Sequence, residues 1–402
     1  MHFQLCVEIC IDRYIQGEIT FILPFTIADL KTIMDMTATP SYCTNTTGVD
    51  EENGSSDGTY ADLTRSLNIM SVVIYSLDFI LGVLGNGVVI WVTGFKMKKT
   101  VNTVWILNLA VADFLFTAFL PFSVIYTALD FHWPFGKFMC KVDNTVRFLN
   151  MFVSVYILVV ISVDRYVSVV GMSWAQNHRN ICKASCVGLG VWVLGLILSL
   201  PYFIFRDTGP SSDDETIINC YDNYAFSDDF NTPSVNQLGL LRFKAMTIIR
   251  FLLGFVVPFT VIVSCYAVII HRLRRNHTRA SRSSRPFKII AAIITVFFLC
   301  WAPFYIMTLI ELWSYIDNTS SGVIELVITI GVPLATSLAY LNSCLNPLLN
   351  VFMGQDFKDK VRKSILNVFE TAFREEVSRL HTDTKSVDTS QSLDMSVLNT
   401  QV

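Results

Sequence analysis

Polar side chains recur inside stretches of this sequence that are otherwise apolar, and their types limit the chemistry available to them. Asp113 lies in NLAVADFLF, Asn150 and Ser154 stand four residues apart, and Asn342 and Asn346 lie in LNSCLNPLLN. Side chains four residues apart share one face of a helix. A carboxylate among amide and hydroxyl oxygens suits a small hard cation such as sodium. The alternative is a hydrogen-bond network that only holds helices together.

A second polar feature is the adjacent pair Asp164 and Arg165 in ISVDRYVSVV. Two opposite charges can pair with each other when no other group contacts them, and they can separate when a binding partner offers other contacts. A charge pair with two arrangements is a candidate switch. The simpler interpretation is a salt bridge at the rim of a membrane.

The elements that must position these groups are seven long apolar blocks. The chain has 402 residues, of which 52% are hydrophobic and 16% charged, whereas soluble domains carry about 25% charged residues. A bilayer core needs about 20 helical residues to cross it, and every block reaches that length. The sequence therefore predicts an all-α, seven-transmembrane helix bundle. The blocks are residues 69–94, 103–127, 137–170, 181–204, 243–271, 287–313 and 322–353.

The distribution of basic residues predicts how this bundle is oriented in the membrane. Lys and Arg collect after the first, third, fifth and seventh blocks, whereas the alternate segments are acidic. Cytosolic loops carry the excess of basic residues, so we expect the N-terminus outside and the C-terminus in the cytosol. Candidate glycosylation sites at Asn45, Asn53 and Asn318 fall on the predicted outer side. The net charge of −3 implies no polyanionic partner such as nucleic acid.

The predicted topology places two cysteines, Cys140 and Cys220, on the outer side of the membrane. Both face an oxidising compartment, so a disulfide is the leading interpretation. Arg165 follows Cys140 by about 37 Å of helix, which places the Asp164–Arg165 pair at the cytosolic rim. The partners of Cys6, Cys10 and Cys43 stay open, as does whether residues 1–36 belong to the mature chain.

Motifs appear in chain order, one set in each block: Asn86 in GN, NLAVAD, Cys140, DRY, Trp192, Pro258 with Tyr266, FFLCWAP and NSCLNP. Together they resemble the rhodopsin-like (class A) G-protein-coupled receptors over residues 69–370. FKMKKTVNTVWILNLAVADFLF, WAQNHR, PFKII and FMGQDF are similar to the chemoattractant branch, which includes chemerin, formyl-peptide, anaphylatoxin and type-2 prostaglandin D2 receptors. The overall sequence is most similar to the chemerin receptor-like (chemokine-like receptor) group, whereas LPYFIFRDT is closer to the prostaglandin D2 receptor.

The resemblance implies roles for the matching positions. Arg165 would engage a G protein after the sixth helix swings outward, and Phe297 and Trp301 would relay ligand contact to that motion. Cys140 and Cys220 would form the outer disulfide. The implied allosteric sodium pocket consists of Asp113, Asn150, Ser154, Asn342 and Asn346. The positions assigned to the switch are Asp164, Arg165, Tyr166, Tyr266, Phe297, Trp301, Pro303, Asn346, Pro347 and Asn350.

One position departs from the family pattern. The family usually has Asn-Pro-x-x-Tyr in the seventh helix, but this chain has NPLLN, with Asn350 in place of the tyrosine. That tyrosine helps to hold the active state through a water-bridged contact with the residue matching Tyr266. Asn is too short to reach as far, so we expect altered G-protein activation. A non-signalling ligand scavenger becomes an alternative function.

Two arginines on the outer half of the bundle are candidate ligand anchors. Arg250 lies about 12 Å outward of Pro258 along its helix, and in the chemoattractant branch a basic residue there receives a ligand carboxylate. Arg147 departs from the branch, and its alternative is an i,i+4 pair with Asp143. The pocket suits a peptide C-terminus or a fatty acid derivative, and the acidic segment 213–229 favours a basic protein or peptide. The other ligand-binding candidates are Glu311, Tyr126, Phe304 and Tyr305.

The predicted organisation is an extracellular tail (1–68), the bundle (69–353), an amphipathic membrane-surface helix (354–372) and a disordered cytosolic tail (373–402). Serine and threonine in the tail would bind arrestin once phosphorylated, or the tail is inert. The final TQV resembles a PDZ-binding terminus.

Together these features predict a plasma-membrane receptor for a chemoattractant-type ligand that couples to inhibitory G proteins and arrestin in chemotaxis or inflammation. A chemerin-like peptide is the first candidate ligand, and prostaglandin D2 and formyl peptides are alternatives. A transporter would need repeated halves, which the sequence lacks. The sequence also shows no nucleophile motif, metal cluster or phosphate loop, so we expect neither an enzyme nor a cofactor beyond the sodium ion.

Overall fold

Seven helices build the described part of the chain. The computed structural model describes residues 56–211, 214–226, 232–275, 284–317 and 322–352. Seven helices in these ranges are long and apolar enough to cross a membrane. The predicted all-α, seven-helix bundle is therefore confirmed, and the chain is a multi-pass membrane protein. Asn45, Asn53, Asn318, residues 354–372 and the tail lie outside the described residues, as does the side chain of Asn350.

The spans are numbered in chain order. The first is the helix Ser56–Trp91, continued by a π-helical turn, Val92–Lys96. The second to fourth are Val101–Ala128, Gly136–Val170 and Ile181–Phe205, with a short helix, Met172–His178, between the third and fourth. The fifth joins Pro233–Phe251, a π-helical turn Leu252–Val256, and Val257–Arg275. The sixth is Ser284–Asp317 and the seventh Gly322–Phe352.

The first helix begins at Ser56, before the predicted block that starts at residue 69, and a second difference is the start of the fifth span. The prediction placed it at residue 243, where the apolar run begins, but the helix begins at Pro233. Proline is favoured in the first turn of a helix because its missing N–H has no intrahelical partner there. The segment that follows is partly polar, so hydropathy alone does not reveal it.

Side chains cap the second and fourth spans where each helix begins. Thr100 accepts a hydrogen bond from the Thr103 N–H at 3.2 Å, and the Thr100 N–H donates to the Thr103 hydroxyl at 2.7 Å. The Asn180 side chain accepts from the Lys183 N–H at 2.8 Å before the fourth span. These caps satisfy N–H groups that the first helical turn leaves without partners. They fix where the second and fourth spans begin.

The third span forms the axis of the bundle. It is the most buried of the seven, and it packs against the second, fourth and fifth spans. Met151, Phe152 and Val153 are consecutive and all are fully buried, so this helix has no solvent-facing or lipid-facing side at that level. A helix that is apolar on every side belongs in a core. Side chains of other spans therefore converge on it.

A β-hairpin covers the outer end. Strands β1 (Arg206–Pro210) and β2 (Ile218–Asp222) pair in antiparallel register. The predicted Cys140–Cys220 disulfide is present and ties β2 to the start of the third span. The Trp133 N–H donates to the Ile218 carbonyl at 2.7 Å, which joins the loop after the second span to the hairpin.

An ion pair holds strand β1 of this hairpin in place. Lys137 Nζ lies 2.8 Å from Asp207 Oδ1, at the start of the third span. Partial burial acts to raise the pKa of Asp207, but hydrogen bonds from the Lys137 ammonium and the Thr208 N–H outweigh it and lower that pKa. The carboxylate therefore stays ionised at neutral pH, and the hairpin is held at both strands.

Candidate functional site

Four of the five residues predicted to form a cation pocket, Asp113, Asn150, Ser154 and Asn346, take part in hydrogen bonds at the centre of the bundle, whereas neither side-chain polar atom of Asn342 has a partner among the described residues. Asn346 Nδ2 donates to Asp113 Oδ2 at 2.8 Å. Asn150 Nδ2 donates to Ser343 Oγ at 3.0 Å, and the Ser154 hydroxyl donates to Asn150 Oδ1 at 3.1 Å. All five residues are buried. The structure thus links the second, third and seventh spans through hydrogen bonds at one level.

Ser343 is the member of this network that sequence reasoning did not assign to the pocket. Its hydroxyl accepts from Asn150, and its backbone carbonyl accepts from Asn86 Nδ2 at 3.0 Å. Ser343 therefore joins the third span to the first through the seventh. Its position in NSCLNP, three residues before Asn346 and so on the same helix face, was the signal that could have found it.

Three buried side-chain oxygens in this region can still accept a hydrogen bond or bind a cation. Asp113 Oδ1, Asn346 Oδ1 and Asn342 Oδ1 are buried and accept no hydrogen bond from the residues that the structure describes. Leaving a buried acceptor without a donor destabilises a fold by about 1–3 kcal/mol. Carboxylate and amide oxygens are ligands for hard cations. The residues present therefore fit the sodium ion that the sequence predicted.

Near the C-terminal end of the third span, Asp164 and Arg165 do not pair with each other, so of the two arrangements that the sequence left open the structure has the separated one. Arg179 instead holds Asp164 with two hydrogen bonds, from Nε to Oδ1 at 2.8 Å and from Nη2 to Oδ2 at 3.0 Å. Arg165 Nη2 donates to Asn102 Oδ1 at 2.8 Å. A guanidinium that donates to both oxygens of a carboxylate binds it more strongly than a single hydrogen bond does. Arg179 binds Asp164 in this way.

Asn102 and Arg179 are the residues that sequence reasoning missed here. Arg179 Nη2 also donates to Asn102 Oδ1 at 2.8 Å, so one oxygen accepts from both arginines. Asn102 lies in the first turn of the second span, and Arg179 follows the short helix after the third. The sequence carried only a weak signal for them, since both lie far from the pair along the chain.

Aromatic side chains in the sixth span connect the outer half of the bundle to its centre. The ring centroids of Phe297 and Trp301 are 5.9 Å apart, and those of Trp301 and Phe304 are 5.7 Å apart at 90°. Phe297 and Trp301 are both buried, and Pro303 lies inside the same helix. The predicted relay residues are therefore in mutual contact.

Tyr305 occupies a different environment from the pocket wall that the sequence predicted. Its side chain is only 1% exposed, and its hydroxyl donates to Met151 Sδ at 3.2 Å. Its ring packs against Phe251 and Phe255. Tyr305 therefore supports the wall from behind instead of forming its surface.

Arg250 has an aromatic environment. Its guanidinium carbon lies 5.5 Å from the ring centroids of both Phe148 and Phe304, which is within cation–π range. No ion pair engages Arg250 or Glu311 in the part of the chain that the structure describes, and Arg250 Nε is buried without a hydrogen-bond partner there. Glu311 therefore does not neutralise Arg250 at ion-pair distance.

Arg147 differs from Arg250. It forms an ion pair with Asp143, one turn earlier on the same helix, so the i,i+4 alternative is confirmed. Arg147 Nη1 also donates to the Tyr340 hydroxyl at 3.0 Å. Tyr126 lies beneath the outer hairpin, where its ring contacts Trp133 and its hydroxyl approaches the Cys220 carbonyl at 3.5 Å.

The hydroxyl of Tyr266 is buried and makes no hydrogen bond to the residues whose side chains the structure describes. Tyr266 lies in the C-terminal half of the fifth span. Asn350, its predicted counterpart, belongs to the seventh span by its backbone, and its side chain is outside the description. The predicted effect of Asn350 on activation stays a prediction.

Comparison with known proteins agrees with this architecture. The family described as 7 transmembrane receptor (rhodopsin family) matches residues 85–349. Chemerin-like receptor 1 of Sus scrofa is 48% identical over 299 residues, which cover 73% of this chain and 79% of that protein. The C3a anaphylatoxin chemotactic receptor of Danio rerio is 44% identical over 323 residues, 80% and 82% of the two chains. N-formyl peptide receptor 3 of Pan troglodytes is 38% identical over 323 residues, 79% and 91%.

Proposed function

Because this chain belongs to the rhodopsin family of seven-transmembrane receptors, we propose that its ligand carries a carboxylate on an apolar body. The chain is a chemoattractant-type G-protein-coupled receptor and not an enzyme, and its partners are an extracellular ligand and a G protein. A chemerin-like peptide, with its C-terminal carboxylate, is the ligand class that we propose first. Prostaglandin D2 and formyl peptides are the alternatives.

The observation that carries this proposal is the state of Arg250. A cation inside a membrane-spanning bundle is costly unless something compensates its charge. Phe148 and Phe304 contribute cation–π contacts worth roughly 2 kcal/mol or more when desolvated, but the described residues offer no carboxylate at ion-pair distance. A ligand carboxylate would complete the site, and the two aromatic rings would contact the apolar body.

The experiment compares chemerin C-terminal peptides, formyl peptides and prostaglandin D2 by arrestin recruitment, each acid beside its C-terminal or carboxyl amide. Arg250→Ala is expected to weaken the response to the active acid by about 100-fold, since a charge-assisted hydrogen bond is worth about 1.5–3 kcal/mol. Surface expression should stay at the wild-type level.

Arg250→Lys is the matched control, because it keeps the charge but loses the planar guanidinium, and we expect it to retain part of the response. If Arg250→Ala leaves the acid and the amide with unchanged potencies, Arg250 does not receive the ligand. If none of the three ligand classes acts on the wild-type protein, the ligand class itself is wrong.

The remaining partners follow from the sequence. We propose a plasma-membrane location with the N-terminus outside, supported by the basic segments that follow the odd-numbered spans. Inhibitory G proteins are the proposed subtype. A phosphorylated tail is proposed to bind arrestin, residues 354–372 to lie on the inner leaflet lipids, and Val402 to enter a PDZ domain.

We also propose that sodium binds at the central polar network. The unpartnered oxygens of Asp113, Asn342 and Asn346 support this proposal. The ion would hold the second and seventh spans in the arrangement seen here, and thereby favour the inactive state. The residues of this chain that would supply ligands are Asp113, Asn150, Ser154, Asn342 and Asn346.

A ligand scavenger is the second candidate function. Asn350 motivates it, because the residue lacks the tyrosine hydroxyl that would meet Tyr266. The buried Tyr266 hydroxyl, which has no partner among the described side chains, is consistent with that loss. A receptor exchanges nucleotide on its G protein when ligand binds, whereas a scavenger only takes the ligand up.

A further inference from the structure

The pair of Asp143 and Arg147 is held in place by a set of contacts from several spans. Both residues belong to the third span, and the ion pair between them is internal to it. Arg147 Nη1 donates to the Tyr340 hydroxyl of the seventh span at 3.0 Å. The Tyr340 ring in turn lies 5.0 Å from Tyr75 of the first span and 5.0 Å from Phe116 of the second, measured between centroids.

The two members of the pair differ in exposure. The Asp143 side chain is 3% exposed, whereas that of Arg147 is 25% exposed. The carboxylate therefore lies behind the guanidinium, and the guanidinium has the accessible edge. A ligand that enters the bundle would meet the cation and not the anion.

The pair is also not saturated. Asp143 Oδ1 and Arg147 Nε are buried and have no hydrogen-bond partner among the described residues. Arg147 Nη1 and Nη2 are engaged by Tyr340 and Asp143, and the remaining donor, Nε, is buried. Because a guanidinium binds a carboxylate through a fork of two N–H groups, Arg147 would offer such a fork to another anion only if Asp143 did not occupy it.

The two arginines of the pocket lie on different sides of the third span. Arg147 contacts Tyr340 of the seventh span, whereas Arg250 lies between Phe148 and Phe304, a residue of the sixth. A ligand with a single acidic group could therefore bind in two opposite orientations if both cations were free. Of these two arginines, Arg147 has a carboxylate partner in the described structure and Arg250 has none.

We propose that Asp143 is a specificity-determining residue: its carboxylate occupies on Arg147 the place that a ligand carboxylate would take, and so directs the acidic group of the ligand to Arg250. The inference rests on the proposed function, since it concerns the same pocket. Asp143 acts as a built-in competitor that selects one orientation of the ligand. The pocket consequently accepts one acidic group and discriminates against ligands with two.

The test uses the purified full-length receptor and a simple probe, 4-phenylbutyrate, with 4-phenylbutyramide as its neutral counterpart. Apparent affinity is obtained from the shift of the thermal midpoint with probe concentration. In the Arg250→Ala background, adding Asp143→Asn is expected to tighten acid binding by about tenfold or more, because it frees a charge-assisted contact. Adding Arg147→Met to this double variant should abolish the gain.

A neutral pair provides the matched control. Replacing a buried ion pair by neutral residues of similar size is often tolerated, whereas removing one partner alone can unfold a protein. The double variant Asp143→Asn with Arg147→Met should therefore fold, and any preference it shows for acid over amide reports on Arg250 alone. If Asp143→Asn alone prevents folding, Asp143→Ser replaces it in the same series.

Each outcome decides the question. Equal acid binding by Arg250→Ala with and without the Asp143 substitution overturns the proposal, as does loss of acid preference in the neutral double variant, which would mean that Arg147 itself receives the ligand. If the wild-type protein shows no Arg250-dependent preference but the Asp143 substitution creates an Arg147-dependent one, the inference stands and the proposed ligand site fails. Absence of acid binding in every variant overturns both.

Discussion

A single oxygen atom, Asn102 Oδ1, accepts hydrogen bonds from Arg165 and from Arg179, both at 2.8 Å. Arg179 also forms an ion pair with Asp164. The Asp164 carboxylate, which is adjacent to Arg165 in the sequence, therefore does not pair with Arg165. Arg165 is therefore restrained by an amide and not by a charge. This hydrogen bond is partly buried and has only one charged partner, so it restrains Arg165 less firmly than a bidentate ion pair would.

This arrangement predicts opposite effects for two substitutions at one position. Asn102→Ala removes the acceptor and frees Arg165, so basal nucleotide exchange should rise several-fold, as expected for a lost contact of about 1 kcal/mol. Asn102→Asp keeps the acceptor and adds a negative charge, so basal exchange should fall. Exchange is measured in membranes without ligand at equal expression. If both variants match the wild-type rate, Asn102 does not restrain Arg165.

The central carboxylate supports a second prediction at the scale of single residues. Sodium chloride is expected to raise the thermal midpoint of the purified receptor above the value in potassium chloride of equal ionic strength, because an ion that binds only the folded state stabilises it. Asp113→Asn should abolish this difference. Asp78→Asn is the control, since Asp78 is also a buried carboxylate but belongs to the first span. A sodium effect that survives Asp113→Asn would place the ion elsewhere.

At the scale of helices, close approach between the first and second spans depends on Gly82. A Cβ atom at Gly82 would lie 2.3 Å from Thr117 Cγ2 and 2.8 Å from Thr117 Cβ, and Thr117 is fully buried. The Thr117 hydroxyl also donates to the Asp113 carbonyl at 2.8 Å, so this side chain is held in place. The two helices can meet at this distance only because the first carries no side chain there.

Gly82→Ala is therefore expected to destabilise the bundle by about 1–3 kcal/mol, the usual range for overpacking a core. The thermal midpoint of the purified receptor measures the effect. Gly190→Ala is the control, because nothing lies within 4 Å of a Cβ there, and its midpoint should stay near the wild-type value. Equal midpoints for the two variants would mean that the first two spans can separate at no cost.

Helix content was predictable because each span is one long apolar run. The start of the fifth span at Pro233 was not, since its first turns are partly polar and project beyond the apolar run. Local pairs were also predictable: Asp143 and Arg147 are one turn apart, so helix geometry alone brings them together. The contacts of Arg165 and Asp164 could not be read from the sequence, because Asn102 and Arg179 reach them only through the packing of separate elements.

At the scale of the whole molecule, a chain of side-chain contacts in the fifth and sixth spans leads from Arg250 to Phe297. Arg250 touches Phe304, Phe304 touches Trp301, and Trp301 touches Phe297. Interiors are packed as densely as organic crystals, so displacement of one ring is transmitted to the next. The sequence predicts that Asn350, in place of the family's tyrosine, alters the last step of this relay.

Asn350→Tyr therefore tests whether this chain signals weakly because it lacks a hydroxyl. The substitution should raise nucleotide exchange driven by the chemerin C-terminal peptide several-fold, since a tyrosine there could meet the unpartnered Tyr266 hydroxyl through water. Asn350→Phe adds the ring without the hydroxyl and should give no gain, and Tyr266→Phe should cancel the gain of Asn350→Tyr. Uptake of labelled peptide is followed in parallel. Strong exchange by the wild-type protein would dismiss the scavenger, whereas uptake without exchange in every variant would establish it, because restoring the hydroxyl would then leave the cytosolic face unable to act on a G protein.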